Sequence, residues 1–315
     1  AIFITHKMGE VLAFSDRVQV LRRGEQIAVK DTADTTQQEL ARLMVGREVL
    51  FRLDKKVCTP GDVVLELQNV RALDDKGLPA LRGISLKIQE GEILGIAGVA
   101  GNGQRQLAEV ITGLRELAGG EIMIRGEAAT QRTPLEIIRA GVSHIPADRV
   151  GMGAVGDMAV ADNLAMKGYR KPPLAESGIL RPNRIVEFAR SLISTFDIMT
   201  PSPQTRIKFL SGGNIQKAIL AREIDACGGL MVAVYPSRGL DVGATEAVRK
   251  MLLKEREQGT GILLISEDLD ELMTIADRIA VLYEGQVMGI VPAEEADIET
   301  LGLMMAGATY SEVVA

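Results

Sequence analysis

One stretch of this chain is written twice. Residues 1–46 align without a gap on residues 262–307, at an offset of 261. The run "IFITHKMGEVLAFSDRVQVLRRGE" lies over "LLISEDLDELMTIADRIAVLYEGQ". Asp16 and Arg17 fall on Asp277 and Arg278, Gly24 on Gly285, Met44 and Gly46 on Met305 and Gly307. A repeat of this kind fixes the local architecture before any single residue is weighed. Each copy predicts a strand, an amphipathic helix, a strand, a glycine-turned hairpin and a short helix. The second copy closes a domain of about 245 residues that begins at Val63, whereas nothing stands in front of the first. The expectation is the tail of one domain at residues 1–50, a linker at 51–62, a second domain at 63–307 and a short tail at 308–315. The alternative is a short N-terminal appendage. Without sheet neighbours, the leading strand of the first copy should pack poorly.

Composition narrows the classes. Hydrophobic residues make up 46% of the 315, enough to bury a substantial core. Aromatics are 3% and the net charge is −6, which disfavours stacking platforms and a phosphate-backbone footprint, so no nucleic-acid partner is expected. Cys58 and Cys227 form neither a metal-type pair nor a disulfide framework. The first residue is Ala1, and no secretory leader pattern is read there. Apolar runs at 93–100 and 230–234 are too short to cross a bilayer and suit buried strands of a parallel sheet.

The segment at 51–62 is polar and carries Pro60-Gly61, as a linker would. From Val63 onward, strands joined by "DDKGLP" and "QEGE" turns give way to a strand, a glycine loop and a helix. A helical middle and a further βαβ stretch follow. That order predicts a mixed α/β domain with an antiparallel part and a parallel core.

The strand "EILGIA" runs into Gly98, Val99, Ala100, Gly101, Asn102, Gly103, Gln104 and Arg105, then into a helix. Glycines placed there let backbone N–H groups curl around a phosphate at the helix start. The full phosphate-loop pattern wants Lys and then Ser or Thr after the last glycine, and this chain has Gln104 and Arg105. The loop therefore lacks a point charge and a Mg²⁺-binding hydroxyl, a loss of about 1.5–3 kcal/mol for each charge-assisted bond. A plain strand-to-helix turn is the competing reading. A dinucleotide fingerprint fails after Gly103.

"FLSGGNIQKAILAREI" is the sharpest signal. Ser211, Gly212 and Gly213 open a helix that continues through Asn214 and Gln216. A serine and two glycines at a helix start offer unpaired N–H groups and a hydroxyl to an anion. Alone, the tetrapeptide could equally be an ordinary N-cap. An apolar strand, Pro236 and then Gly239, Leu240 and Asp241 follow at a distance that gives it meaning. Together with "GVAGNGQRQLAEVITGL" and "HIPADRVGMGAVGDMAVADNLAMK", these stretches resemble the ATPases of ABC transporters along essentially the whole chain. The second domain of tandem importers for nucleosides and simple sugars is the nearest likeness.

The resemblance implies a fold class: α/β, a P-loop NTPase-like ABC domain with a parallel core sheet, an antiparallel β subdomain and a helical signature subdomain. It also exposes departures. Where the family has Asp-Glu before the proline, this chain has Val234 and Tyr235; where it has the switch histidine, Glu267. The glutamine after "HIP" and an aromatic near residues 71–81 are missing too. Losing one stabiliser of transition-state charge typically costs about 10²- to 10³-fold. The second domain's own site should therefore be inactive, while its signature is whole.

Such domains pair head to tail, with each ATP between one phosphate loop and the other signature. The resemblance thus places Ser211, Gly212, Gly213, Asn214 and Gln216 on the ATP of the first domain, together with His6, which occupies the switch position in the first copy. Gly98, Gly101, Asn102, Gly103, Gln104 and Arg105 would form the degenerate site, and Gly239, Leu240 and Asp241 would bind ATP as well. ATP and Mg²⁺ are the implied cofactors, the metal mainly at the first-domain site. Two transmembrane permease subunits and an extracytoplasmic substrate-binding protein are the implied partners, at the cytoplasmic face of the membrane. His144 reads as a packing or surface residue. Asp148-Arg149 reads as a coupling or local ion pair, and residues 151–173 as a loop facing the permease. A non-hydrolysing scaffold is the rival reading.

Overall fold

The computed structural model describes residues 1–5, 8–22, 24–46, 53 and 55–314. They fall into two compact units, residues 1–54 with 237–250 and residues 55–236 with 251–315.

The first unit contains α1 (Met8–Phe14), the hairpin β1 (Arg17–Arg22) and β2 (Glu25–Asp31), and α2 (Gln37–Val45). Thr36 caps α2 by accepting from Glu39 N, and Gly46 ends it in the left-handed region. Met8, Val20, Leu40 and Ala41 form its small core, against which Val242 packs. That contact accounts for residues 237–250 grouping here, a placement with no counterpart in the sequence reading. Residues 1–5 form no strand, and Ile2 and Ile4 are 97% and 96% exposed. A strand whose backbone finds no partner has nothing to hold it extended.

The second unit runs β3 (Val63–Leu73), β4 (Pro79–Gln89), β5 (Ile93–Ala97), α3 (Gln104–Ile111), β6 (Gly119–Ile124), β7 (Glu127–Ala128), α4 (Pro134–Arg139) and β8 (Val142–Ile145). Next come α5 (Val160–Ala165), the hairpin β9 (Ala175–Glu176) and β10 (Ile179–Leu180), α6 (Pro182–Thr195), α7 (Gly212–Asp225), β11 (Leu230–Val234) and, from residue 251 on, the rest of α8 (Val242–Glu257), whose first part belongs to the first unit. It closes with β12 (Gly261–Ile265), α9 (Leu269–Ile275), β13 (Arg278–Tyr283), β14 (Gln286–Pro292) and α10 (Ile298–Met305). The main sheet has the order β14-β13-β5-β12-β11-β8, parallel apart from β14. Its strands β5, β11 and β12 are buried at every residue, which is why they read as unbroken apolar runs. A second, antiparallel sheet is ordered β4-β3-β6-β7. α5, α6 and α7 pack on one another as a separate helical layer. The expected α/β architecture with parallel, antiparallel and helical parts is therefore present.

Candidate functional site

Strands β5, β12 and β11 are neighbours, with Ile96 opposite Ile265 and Ile265 opposite Val234. Their carboxyl ends therefore lie side by side, where ligands bind open parallel sheets. β5 delivers the glycine loop, β12 delivers Ser266 and Glu267, and β11 delivers Val234 and Tyr235.

The loop curls as a phosphate cradle does. Gly98, Gly101 and Gly103 have φ of 151°, 96° and 105°. At Gly103 a Cβ would sit 2.7 Å from the Ala80 carbonyl, so only glycine lets the loop pass beneath β4. Among the described residues, the backbone N–H groups of Ala100, Gly101, Gly103, Gln104 and Arg105 donate to no acceptor. These are donors turned outward at the start of α3. Asn102 holds the loop from the side: its Nδ2 donates to Val99 O at 3.1 Å, and its Oδ1 accepts from Glu284 N at 2.9 Å.

The two substituted positions behave differently. Gln104 turns inward, is 2% exposed, and donates from Nε2 to Val99 O at 2.9 Å. It fastens the loop to itself. Arg105 turns outward, to Glu109 Oε1 at 2.6 Å and Asp75 Oδ2 at 3.1 Å. Arg115 completes the cluster, reaching Glu109 Oε2 at 2.7 Å and Asp75 Oδ1 at 2.5 Å. The hydrogen bond from Arg115, with the charge of Arg105, holds the Asp75 carboxyl below the usual carboxylate range.

The residues present do not fit a magnesium ion at this loop. Arg105 replaces the hydroxyl ligand, and the strand end that would offer a carboxylate offers Val234, 4% exposed. No group of His, Cys, Asp or Glu among the described residues is arranged to hold a metal. The free N–H groups do fit an anion such as a nucleotide phosphate. Ser266 is buried and turned to its own helix, donating to Glu271 Oε2 at 2.6 Å and accepting from Asp268 N at 3.1 Å.

The signature residues are presented on a different element. Ser211 is the N-cap of α7, in extended backbone, and its Oγ accepts from Asn214 Nδ2 at 2.9 Å and Asn214 N at 3.4 Å. Ser211 and Gly212 are exposed, and the N–H groups of Gly212 and Gly213 donate to no acceptor among the described residues. Asn214 Oδ1 accepts from Met199 N at 2.8 Å, so the side chain braces the helix start. Gln216 corrects the sequence reading. The turn of the helix carries it to the inner face, where it is 1% exposed. Its amide atoms meet no hydrogen-bond partner among the described residues, so it cannot present itself beside Ser211. None of the hydrogen bonds made by residues 98–105 reaches residues 211–216.

Gly239, Leu240 and Asp241 belong to the first unit. Leu240 is buried, and Asp241 Oδ1 accepts from Ala244 N at 2.8 Å, capping α8. His6 lies outside the described residues.

Behind the signature, α7 carries a buried charge network that the sequence did not announce. Glu223 is fully buried; it pairs with Lys167, and accepts from Arg222 Nε at 2.9 Å and His144 N at 3.0 Å. Arg222 Nη2 reaches Gly153 O at 2.9 Å, which ties the helix to the turn after Asp148. Asp148 caps that turn through Val150 N and Gly151 N, while Arg149 lies alongside Gly212. Burial pushes the His144 imidazole down to about 4, so it is neutral at physiological pH, in line with a packing role.

The family described as ABC transporter matches residues 81–228, which include both the glycine loop and the signature. Residues 81–228 form an ABC transporter domain. The chain's relatives include the glucose import ATP-binding protein TsgD13 of Haloferax volcanii, 46% identical over 97% of this chain and 56% of that protein. The nucleoside import ATP-binding protein NupA of Lactococcus lactis subsp. cremoris is 43% identical over 99% of this chain and 62% of its own length. This chain thus spans little more than half the length of these relatives. Among solved structures, a nucleotide-free ATP-binding cassette from an ABC transporter superposes with a TM-score of 0.65 at 20% identity, over 80% of this chain and 99% of that one. A dimeric cassette in a post-hydrolysis state with ADP and Pi gives 0.63 at 20% identity, over 74% of this chain and all of that one. Both share the ABC cassette fold.

Proposed function

We propose that this chain is part of the ATP-binding subunit of an ABC importer and supplies the signature half of its one competent hydrolytic site. The observation that carries this reading is the contrast between two helix starts. At α7 Ser211 and Gly212 are exposed, and the N–H groups of Gly212 and Gly213 find no acceptor among the described residues. At α3 the loop is fastened by Gln104, and the neighbouring strand ends in Val234 and Tyr235, which have no carboxylate for a metal or a water.

In this reading residues 1–50 are the tail of a first ABC domain, 51–62 a linker, 63–307 the second domain and 308–315 a tail. Ser211, Gly212 and Gly213 hold the terminal phosphate of an ATP presented by the first domain, where His6 positions the attacking water. Asn214 keeps the serine hydroxyl in place. Mg²⁺, bound by the first domain, neutralises the phosphate charge there. Gly98, Gly101, Asn102, Gly103, Gln104 and Arg105 surround a second site that binds a nucleotide weakly at most and does not hydrolyse it, and Gly239, Leu240 and Asp241 are ATP-facing residues of the other unit. The names of the relatives support nucleosides or simple sugars as the solute, with two permease subunits and an extracytoplasmic binding protein as partners, and work at the cytoplasmic face. No helix among the described residues is long and apolar enough to cross a membrane, so contact with the membrane falls to the permeases.

The test is nucleotide turnover after a complete first domain is restored. Ser211→Arg and His6→Ala should each abolish phosphate release, and Gln104→Ala should leave most of it. The chain as it stands should release none. Equal damage from Gln104→Ala would overturn the division of labour.

A further inference from the structure

The glycine loop at residues 98–105 keeps one half of a phosphate site and has lost the other. In a complete loop, backbone N–H groups cradle the α- and β-phosphates, the lysine reaches the β and γ groups, and the hydroxyl holds Mg²⁺. The backbone half is present. The N–H groups of Ala100, Gly101, Gly103, Gln104 and Arg105 donate to no acceptor among the described residues. Asn102 braces their curl, donating to Val99 O at 3.1 Å and accepting from Glu284 N at 2.9 Å. Gly101 is exposed, so the cradle is open from outside.

The half that would meet a terminal phosphate and its metal is closed or reversed. Gln104 is buried, and its amide donates back to Val99 O at 2.9 Å. Arg105 is the one cation in the loop, and Glu109 at 2.6 Å and Asp75 at 3.1 Å hold it. Arg115 binds the same two carboxylates at 2.7 and 2.5 Å, so the cluster balances its own charge. β11 ends in buried Val234, which has no side-chain oxygen for a metal. β12 lies beside β5, with Ser266 N donating to Ile96 O at 3.4 Å, and the next residue is the exposed Glu267. The strand end that adjoins the loop therefore offers a carboxylate where a terminal phosphate would extend.

We propose that this loop binds the diphosphate of a nucleoside diphosphate without a metal ion, and selects against a third phosphate. Backbone N–H groups need no counter-ion to donate to the inner phosphates. A third phosphate adds charge where neither lysine nor metal offsets it, beside the Glu267 carboxylate. The inference rests on the reading of this loop as the non-hydrolysing site, and it names the ligand of that site. It is tested without the first domain, so it can fail while turnover still depends on Ser211 and His6.

The experiment titrates the 315-residue chain with ADP, ATP and AMP by calorimetry, each in excess Mg²⁺ and again in EDTA. ADP should bind with a dissociation constant of roughly 0.1–1 mM, changed less than about twofold by removing the metal. ATP should bind about threefold more weakly than ADP in EDTA, and Mg²⁺ should not reverse that order. AMP should bind about tenfold more weakly than ADP, the size of one lost charge-assisted hydrogen bond. Gly101→Asp should abolish ADP binding by setting a carboxylate in the cradle. A Cβ there meets nothing within 4 Å, and a circular dichroism spectrum matching the parent verifies the fold. Glu267→His, on an exposed side chain, should tighten ATP about threefold and leave ADP as it was. Absence of saturable ADP binding, a metal ion that tightens either nucleotide about tenfold, or a preference for ATP would each overturn the proposal. So would ADP binding that survives Gly101→Asp, or an ATP affinity untouched by Glu267→His.

Discussion

The two copies of the repeated segment share a hairpin and its short-range bonds and differ in what surrounds them. Both hairpins carry the same register shift, between Val20 and Leu21 in the first and Val281 and Leu282 in the second. Thr5 Oγ1 donates to Glu10 at 2.9 Å, and its equivalent Ser266 Oγ donates to Glu271 at 2.6 Å. Thr32 N reaches Asp16 O at 3.0 Å; Ala293 N reaches Asp277 O at 2.9 Å. Burial parts them. Ile4 is 96% exposed where Ile265 is 0%, and Phe14 is 81% exposed where Ile275 is 0%. Short-range bonds need only the segment itself, so they appear in both. A strand needs neighbours, and only the second copy has them, in β5 and β11.

That contrast can be broken most decisively at the equivalent isoleucines. Ile265→Ala should cost about 2–5 kcal/mol in urea unfolding, whereas Ile4→Ala should stay within about 0.5 kcal/mol. Equal effects would mean that the first copy is packed after all.

The hairpin glycines come next. Both have positive φ, 83° at Gly24 and 76° at Gly285, but a Cβ at 285 would lie 2.3 Å from Ala80 O, while at 24 it meets nothing within 4 Å. Gly24→Ala should therefore cost about 1 kcal/mol from backbone strain alone, and Gly285→Ala at least twice that, read from the same denaturation curves.

The aspartates sharpen the comparison through pH. Burial pushes the Asp277 carboxyl up, but hydrogen bonds from Arg256 and Ile93 N outweigh it and leave the carboxyl lowered. A lowered carboxylate contributes stability that is present above its unfolded value of about 4 and is lost as pH falls through the folded one. Asp277→Asn should thus cost about 2 kcal/mol at pH 7 and progressively less below pH 4. The Asp16 carboxylate has no hydrogen bond or ion pair among the described residues, so Asp16→Asn should cost little at pH 7.

The smallest effect is expected at the hydroxyls. Ser266→Ala should cost about 1 kcal/mol because it removes a hydrogen bond to a buried carboxylate, and Thr5→Ala less, near solvent. A melting-temperature comparison of the two variants decides it.

Much of this was legible in the sequence. Unbroken apolar runs announced β5, β11 and β12, and the glycines at 98, 101 and 103 announced a loop that needs positive φ. Ser211 announced an N-cap. The misses share a cause. That Gln104 would fold inward depends on a loop whose packing involves Leu282 O, 2.5 Å from where a Gly98 Cβ would be. The brace from Asn214 to Met199, the strut from Arg222 to Gly153 and the pairing of Lys167 with Glu223 join positions whose separation carries no local pattern. Gln216 was misplaced because a run of motif letters hides the helical turn, which alternates outward and inward faces. The grouping of 237–250 with the first unit depends on a hydrophobic contact across some 200 residues of chain.

The hydroxyl–carboxylate bond found in both copies has an evolutionary consequence. It joins residues five apart, Thr5 to Glu10 and Ser266 to Glu271, and in the sequence the intervening stretch begins with His6 in one copy and Glu267 in the other. Glu267 is exposed, at the place in the repeat where the first copy has His6. After a duplication, mutation could exchange imidazole for carboxylate at that point without unravelling the strand-to-helix junction. In the proposed division of labour, the bond that secures the junction and the side chain that differs between the copies are thus separate positions.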